Sequence, residues 1–279
     1  MSTTGTRLAL ALGGRVEPRP RAVREQRGIA RRVLPPLIFG LLVLALWQGY
    51  VALSGVGEAI VPSPVEVARA LVRDRSLLLS SAGTTVAEIL LGYALAIVVG
   101  VVLATAVSSS RLIERAVYPW LVVSQMIPIP ALAPVVVLWT GFDIRPKLIV
   151  IALVSFFPIA VNTIDGLRAT DPELVGLLRT LGAGRREIFR IARLPNALPY
   201  VFSGLRVAAA FAVIGAVFAE WAGTSSGGLG YLILSYSDQT LTADVFAVVA
   251  VLAVLGVALF AAVGLLERVL VPWWALEEE

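Results

Sequence analysis

The sequence has no cysteine, no histidine and a single lysine, Lys147, among its 23 basic residues. Without cysteine there is no disulfide, and without either residue there is no Cys/His zinc site, no histidine-ligated haem and no catalysis of the Ser-His or H-E-x-x-H kind. The lone lysine carries an exclusion of its own. A P-loop needs Gly-Lys-Ser/Thr so that the ammonium reaches the β- and γ-phosphates, whereas Lys147 follows a proline and precedes a leucine. The chain therefore does not read as an ATPase. Charge is also scarce: 15% of residues are charged and 58% apolar, against roughly 25% and 45–50% in soluble domains.

What is there is a set of long apolar runs, with a mean hydropathy of +0.88. About 20 mostly apolar residues cross a bilayer as a helix. Six stretches meet the requirement: Leu34 to Leu53, Ile89 to Val107, Ala116 to Phe142 (broken by Pro119, Pro128, Pro130 and Pro134), Leu148 to Ile164, Leu198 to Ala219 and Val245 to Leu266. The reading is an all-α polytopic membrane protein with six transmembrane helices. The first run is too long for a signal-peptide core and lacks a small-residue cleavage site after it, so it reads as a retained helix. A net charge of +4 is explained by arginines held on the cytoplasmic side rather than by nucleic acid. Seventeen basic residues fall on the side of both termini and five on the other, which places both termini in the cytoplasm of a plasma-membrane protein.

Outside the spans, residues 1–33 are rich in arginine and proline without apolar periodicity, and read as a disordered cytoplasmic tail near anionic lipid. Residues 34–275 form the membrane domain, and 276–279 an acidic end. "VPSPVEVARALVRDRSLLLSS", from Val61, reads as a Pro-Ser-Pro turn leading into an amphipathic helix on the outer surface. "TSSGGLGYLILSY", before Asp244, has an apolar run too short to span and reads as a surface or re-entrant segment.

"GLLRTLGAGRREIFRIARLP", Gly176 to Pro195, puts five arginines among large apolar residues. Upstream, Thr170 and Glu173 have capping-box spacing, with Pro172 in the first turn. Leu174, Leu177, Leu178 and Leu181 then make one apolar stripe, and Gly182 is placed to end the helix in a left-handed cap. A second helix runs from Arg185 to Arg193, with Pro195 as its stop. Two uses fit this pattern: a pair lying on lipid headgroups, or a knob docking into a groove of a soluble partner. Two short helices on a tight glycine turn favour the knob.

The spacing from Gly182 to Leu194-Pro195 resembles the "EAA" coupling loop of the inner-membrane permease subunits of binding-protein-dependent ABC importers. Also similar are "VPSP" at 61–64, "GLR" at 166–168, "LPNALPYVFSGLRVA" at 194–208 and "AEW" at 219–221. The nitrate, sulfonate and taurine type is the closest in pattern. "FFPIAVNT" at 156–163 and "LLERVLVPWW" at 265–274 are similar to members for thiamine-pyrimidine precursors or riboflavin. Gly176-Leu177-Leu178 stands where the loop usually has Glu-Ala-Ala, and Ala192 where isoleucine is usual. The resemblance implies a homodimer working with two ATP-binding cassette subunits, which would bind ATP and Mg, and with an extracytoplasmic solute-binding protein. It implies no cofactor in this chain. The ATPase-docking loop, about 166–199, would present Leu174, Leu177, Leu178, Leu181, Gly182, Arg185, Arg186, Phe189, Leu194 and Pro195.

An ion-coupled secondary transporter is the alternative, and it would need ionisable groups near mid-membrane. Glu88, Asp165, Arg206 and Glu220 all read as lying near span ends, with Arg206 snorkelling toward the cytoplasm and Glu220 capping the outer end of its span. In "SQMIPIPALAP", 124–134, prolines free backbone carbonyls of the kind that line cavities. Gln125, Met126, Ser155, Phe156 and Asn162 are the candidate pathway residues, with ordinary helix packing as the competing reading.

Overall fold

The computed structural model describes residues 21–57, 59–223 and 227–273. Among these residues every regular element is a helix. The chain divides into two compact units, Met1–Gly55 and Val56–Glu279. The first contains α1 (Arg21–Ser54), whose apolar part is Leu34–Ser54. Helix thus begins thirteen residues before Leu34, inside the stretch expected to be unstructured. Arginine, alanine, glutamate and glutamine between Arg21 and Arg32 are strong helix formers, and their propensity outweighs the missing apolar stripe. Residues 1–20 of the expected tail and the acidic end at 276–279 lie outside the described residues.

The second unit runs α2 (Pro64–Arg73), α3 (Arg75–Ser108), α4 (Arg111–Ser124), α5 (Ile129–Thr140), α6 (Arg145–Arg168), α7 (Pro172–Thr180), α8 (Arg185–Ile188), α9 (Leu194–Ala222), α10 (Leu229–Asp238) and α11 (Thr242–Leu270). Five helices, counting Arg185–Ala222 as one, are long and apolar enough to cross a membrane. The fourth expected span is instead two helices, α4 and α5, meeting at a 100° bend; counted as one, they make a sixth. Pro128 lacks the N–H to continue α4 and pushes Ile127 away from helical geometry, so the helix stops at Ser124 and restarts at Ile129.

Helices α3, α6 and α9 pack through small residues. Ala208, Ala209, Ala212 and Ala216 of α9 are fully buried beside Ile151 and Ile159 of α6. A β-carbon on Gly204 would stand 2.7 Å from the Pro158 carbonyl oxygen, so only glycine permits that approach. In a bilayer, where lipid tails are as apolar as leucine, such close backbone packing supplies the cohesion. The Tyr93 hydroxyl of α3 donates to the Leu205 carbonyl of α9 at 2.7 Å, tying the outer pair across the core. The short α10, expected as a surface or re-entrant piece, packs Leu229, Leu232 and Tyr236 against Leu78 of α3 and Val248 and Leu252 of α11.

Candidate functional site

The loop between α6 and α9 is built by local sequence. Asp171 caps α7, its carboxylate accepting from the Glu173 N–H at 2.8 Å. This corrects the Thr170 cap: Pro172 takes the first helical position, so the residue immediately before it becomes the cap. At the other end Gly182 has φ +85°, and the Ala183 N–H donates to the Leu178 carbonyl while that of Gly182 donates to Arg179. This is the double-bonded left-handed stop that glycine permits. The Glu187 carboxylate then accepts from the Gly184 N–H at 2.7 Å, starting α8.

Pro195 does not stop the second helix. Phe189–Arg193 form a π-helical turn that leads straight into α9, with the Leu194 N–H donating to the Phe189 carbonyl. One residue more per turn accommodates the proline that an α-helical ladder would reject.

Val175 and Ile188 are buried, fastening the loop to its own chain. Leu174, Leu177, Leu181, Ile191 and Leu194 are exposed, Leu181 by 74%. Leu178, Phe189 and Pro195 are half-buried, while Gly182, Arg185 and Arg186 are exposed. The structure thus leaves most of the expected docking residues exposed or half-buried on this loop, among exposed arginines. Exposed apolar residues so grouped on a polar connecting segment mark a contact surface.

The candidate pathway residues are divided. Gln125 and Met126 stand exposed at the α4–α5 bend. Phe156 packs among Leu121, Ile164 and Tyr118, and the half-buried Asn162 amide donates to the Pro158 carbonyl at 2.7 Å. Ser155 is fully buried with an unpaired hydroxyl.

Of the four intramembrane ionisable groups, only Asp165 is exposed. Arg206 forms an ion pair with Glu267 of α11 and lies 5.9 Å from the Phe260 ring centre, so it is held by a partner where snorkelling was expected. Glu88 pairs with Lys147 at 2.6 Å, both almost fully buried. Glu220 does more than end its span. Its carboxylate accepts from the Gly230 N–H (2.6 Å), the Tyr231 N–H (3.2 Å) and the Thr85 hydroxyl (2.7 Å), and Thr85 in turn accepts from the Leu229 N–H (2.8 Å). The orphan N–H groups at the start of α10 are thereby satisfied by a carboxylate from α9 and a hydroxyl from α3, the anion suiting the positive helix end.

At the end of the bundle away from the loop, Arg73 forms ion pairs with Asp74 and Asp244, and the Tyr236 hydroxyl donates to Asp74 at 3.2 Å. This joins α2, α3, α10 and α11. The Arg73 guanidinium holds the Asp74 carboxyl below the usual carboxylate range, and burial followed by the Asp74 charge pushes the Tyr236 phenol up.

Sequence reasoning missed the roles of Lys147, Thr85, Arg73 and Asp244. The one available signal was Lys147 itself, a lone lysine beside an apolar span, which requires a buried counter-ion.

The family described as "Binding-protein-dependent transport system inner membrane component" matches residues 96–275. The chain is similar to the formylaminopyrimidine transport permease protein ThiX of Halalkalibacterium halodurans, at 40% identity over 87% of this chain and 96% of that protein. It is also similar to the riboflavin transport system permease protein RibX of Chloroflexus aurantiacus, at 36% identity over 94% of this chain and 97% of that one. Among solved structures, a chain of the inward-facing MetNI methionine ABC transporter shares the fold, with a TM-score of 0.61 and 19% identity over 71% of this chain and 97% of that chain.

Proposed function

The chain belongs to the binding-protein-dependent transport system inner membrane component family, and on that premise we propose that two copies of it form the solute pathway of an ABC importer. Each copy would offer its Pro172–Pro195 knob to one separate ATPase subunit, which binds ATP and Mg; a solute-binding protein would deliver cargo to the opposite face. The observation that carries the docking assignment is the exposed apolar crest of Leu174, Leu177, Leu181 and Ile191 on a loop anchored from beneath by Val175 and Ile188. ATP-driven closure of the ATPases would draw the two knobs together, and the α4–α5 bend, with Gln125 and Met126 at its surface, would line the pathway between the copies. Both termini would be cytoplasmic. The similarity to ThiX and RibX favours a small heterocyclic organic solute, with a sulfonate or taurine-like anion as the second class.

Ion coupling finds little to work with. Glu88 and Glu220 are committed to an ion pair and a helix cap, both structural tasks.

The test is co-purification of the ATPase. Hot-spot truncation costs ~2 kcal/mol or more, about 30-fold in affinity. Leu181→Asp should lose the ATPase by that factor while remaining inserted. Gly182→Val should do the same through its backbone, since no neighbouring atom obstructs a side chain there and the positive φ is the only obstacle. Unchanged co-purification at normal expression in both variants would return the loop to the headgroup-lying reading.

A further inference from the structure

Beside the knob lies a cavity with its own lining. Its larger lobe, about 760 Å³, is bounded by the α3–α4 turn (Ser108 to Arg111), Glu114 and Arg115 of α4, Arg168 and Thr170 at the end of α6, and Arg179 and Arg193 of the loop. The adjoining lobe, about 650 Å³, shares Arg111, Arg179 and Arg193 and adds Arg185. The lining is strongly basic. Arg168 is neutralised by its ion pair with Glu114, which accounts for the one carboxylate in the lining. Among the described residues no carboxylate pairs with Arg111, Arg115, Arg179 or Arg193.

Two hydroxyls in the lining lack partners. Thr170 is 7% exposed and its hydroxyl has no hydrogen-bond partner, although it lines the larger lobe. The Ser108 hydroxyl, shared by both lobes, is likewise buried and unpaired. The cavity wall also contains the start of α4, where Ser110 caps the helix by accepting from the Leu112 N–H. Buried hydroxyls are normally satisfied, and these two, on residues that line a cavity rich in arginine, have no partner. Arginine forks and helix starts are the groups that recognise phosphate oxygens. The volume admits more than a bare ion.

We propose that this cavity is a phosphate-recognition site, in which Arg111, Arg179 and Arg193 hold the phosphoryl oxygens and Thr170 and Ser108 donate to them. The ligand is a phosphate monoester, a diphosphate or an anionic lipid headgroup, all of which offer the same oxygens. Because the site bridges the α3–α4 turn and the coupling knob, its occupant joins the knob to the bundle and stiffens it. The cytoplasmic source of that ligand rests on the orientation proposed above; the binding chemistry does not.

The test uses the full-length chain in neutral detergent, without ATPase, so it is independent of docking and of topology. Thermal unfolding is followed with added inorganic pyrophosphate or with phosphatidylglycerol, against phosphatidylcholine as the uncharged-headgroup comparison. The chain should be stabilised by pyrophosphate, marking a soluble source, or by phosphatidylglycerol alone, marking a lipid source. Losing one arginine contact costs about tenfold in affinity, so Arg111→Gln and Arg179→Gln should each move the half-saturating concentration up by that factor, while Arg69→Gln, outside the cavity, should not. Thr170→Val, which removes only the hydroxyl, should weaken binding less. No stabilisation by either anion, or equal stabilisation in wild type and both arginine variants, overturns the proposal.

Discussion

Lys147 and Glu88 sit 2.6 Å apart with no more than 5% of either side chain exposed. Burying each charge costs several kcal/mol, and the pair tolerates this only because each neutralises the other; removing one partner strands the other at a cost of about 3–5 kcal/mol. The Lys147→Met variant should therefore unfold at markedly lower temperature. Adding Glu88→Leu should recover most of the loss, as seen by thermal unfolding in detergent. A double variant as unstable as the single one would show that the pair is not the source. Asp74 gives a second test, with pH as the variable. Because Arg73 lowers its carboxyl in the folded state, its contribution is complete above the ordinary carboxylate pKa of ~3.9 and fades as pH falls below that value. The stability gap between wild type and Asp74→Asn should hold from neutral pH to about pH 4 and then narrow. A gap that widens on acidification would mean the carboxyl is not held ionised by Arg73.

Helix α10 depends on a clasp made by other elements. Its first N–H groups bond to Glu220 of α9 and Thr85 of α3, and Gly228 and Gly230 leave the room that the carboxylate fills. A methyl group at 228 would collide with that carboxylate, so Gly228→Ala should loosen α10 without preventing insertion. With no native cysteine in the chain, a Leu232→Cys reporter, buried in the parent, measures this cleanly. Maleimide labelling should rise several-fold on adding Gly228→Ala, and unchanged labelling would refute the clasp. The clasp was not legible beforehand: Glu220 and Thr85 lie far apart in sequence, so no local period or motif links them, and Glu88 and Lys147 are hidden in the same way. Local chemistry was legible where local physics decides. The leucine stripe and Gly182 forecast α7 and its stop, and the prolines of 124–134 forecast a break. Pro195 misled because a π turn, which no short-range pattern announces, relieves the clash that a proline imposes on an α-helix. Thr170 misled because Pro172, two residues further along, takes the first helical position and makes Asp171 the cap.

At the scale of the molecule, the six apolar runs, the all-helical fold and the family were readable from hydropathy and from the Gly182 to Pro195 spacing. How the spans pack was not, since alanine and glycine at helix contacts carry little hydropathy contrast with their lipid-facing neighbours. Orientation rests on the 17-to-5 asymmetry of basic residues. A reporter inserted after Gly184 should read cytoplasmic and one after Gly57 external; the opposite reading at either position would invert or break the span order.

The central claim is that this chain conducts solute only when a separate ATPase drives it. Reconstitution tests that directly: the chain is placed in liposomes with its ATPase and solute-binding protein, and uptake of a labelled heterocyclic or sulfonate solute is followed. Accumulation should require ATP on the knob side and binding protein on the other, and should be absent for the chain alone under a proton or sodium gradient. Uphill uptake by the chain alone under such a gradient, abolished by neutralising Glu88 or Glu220, would contradict the account.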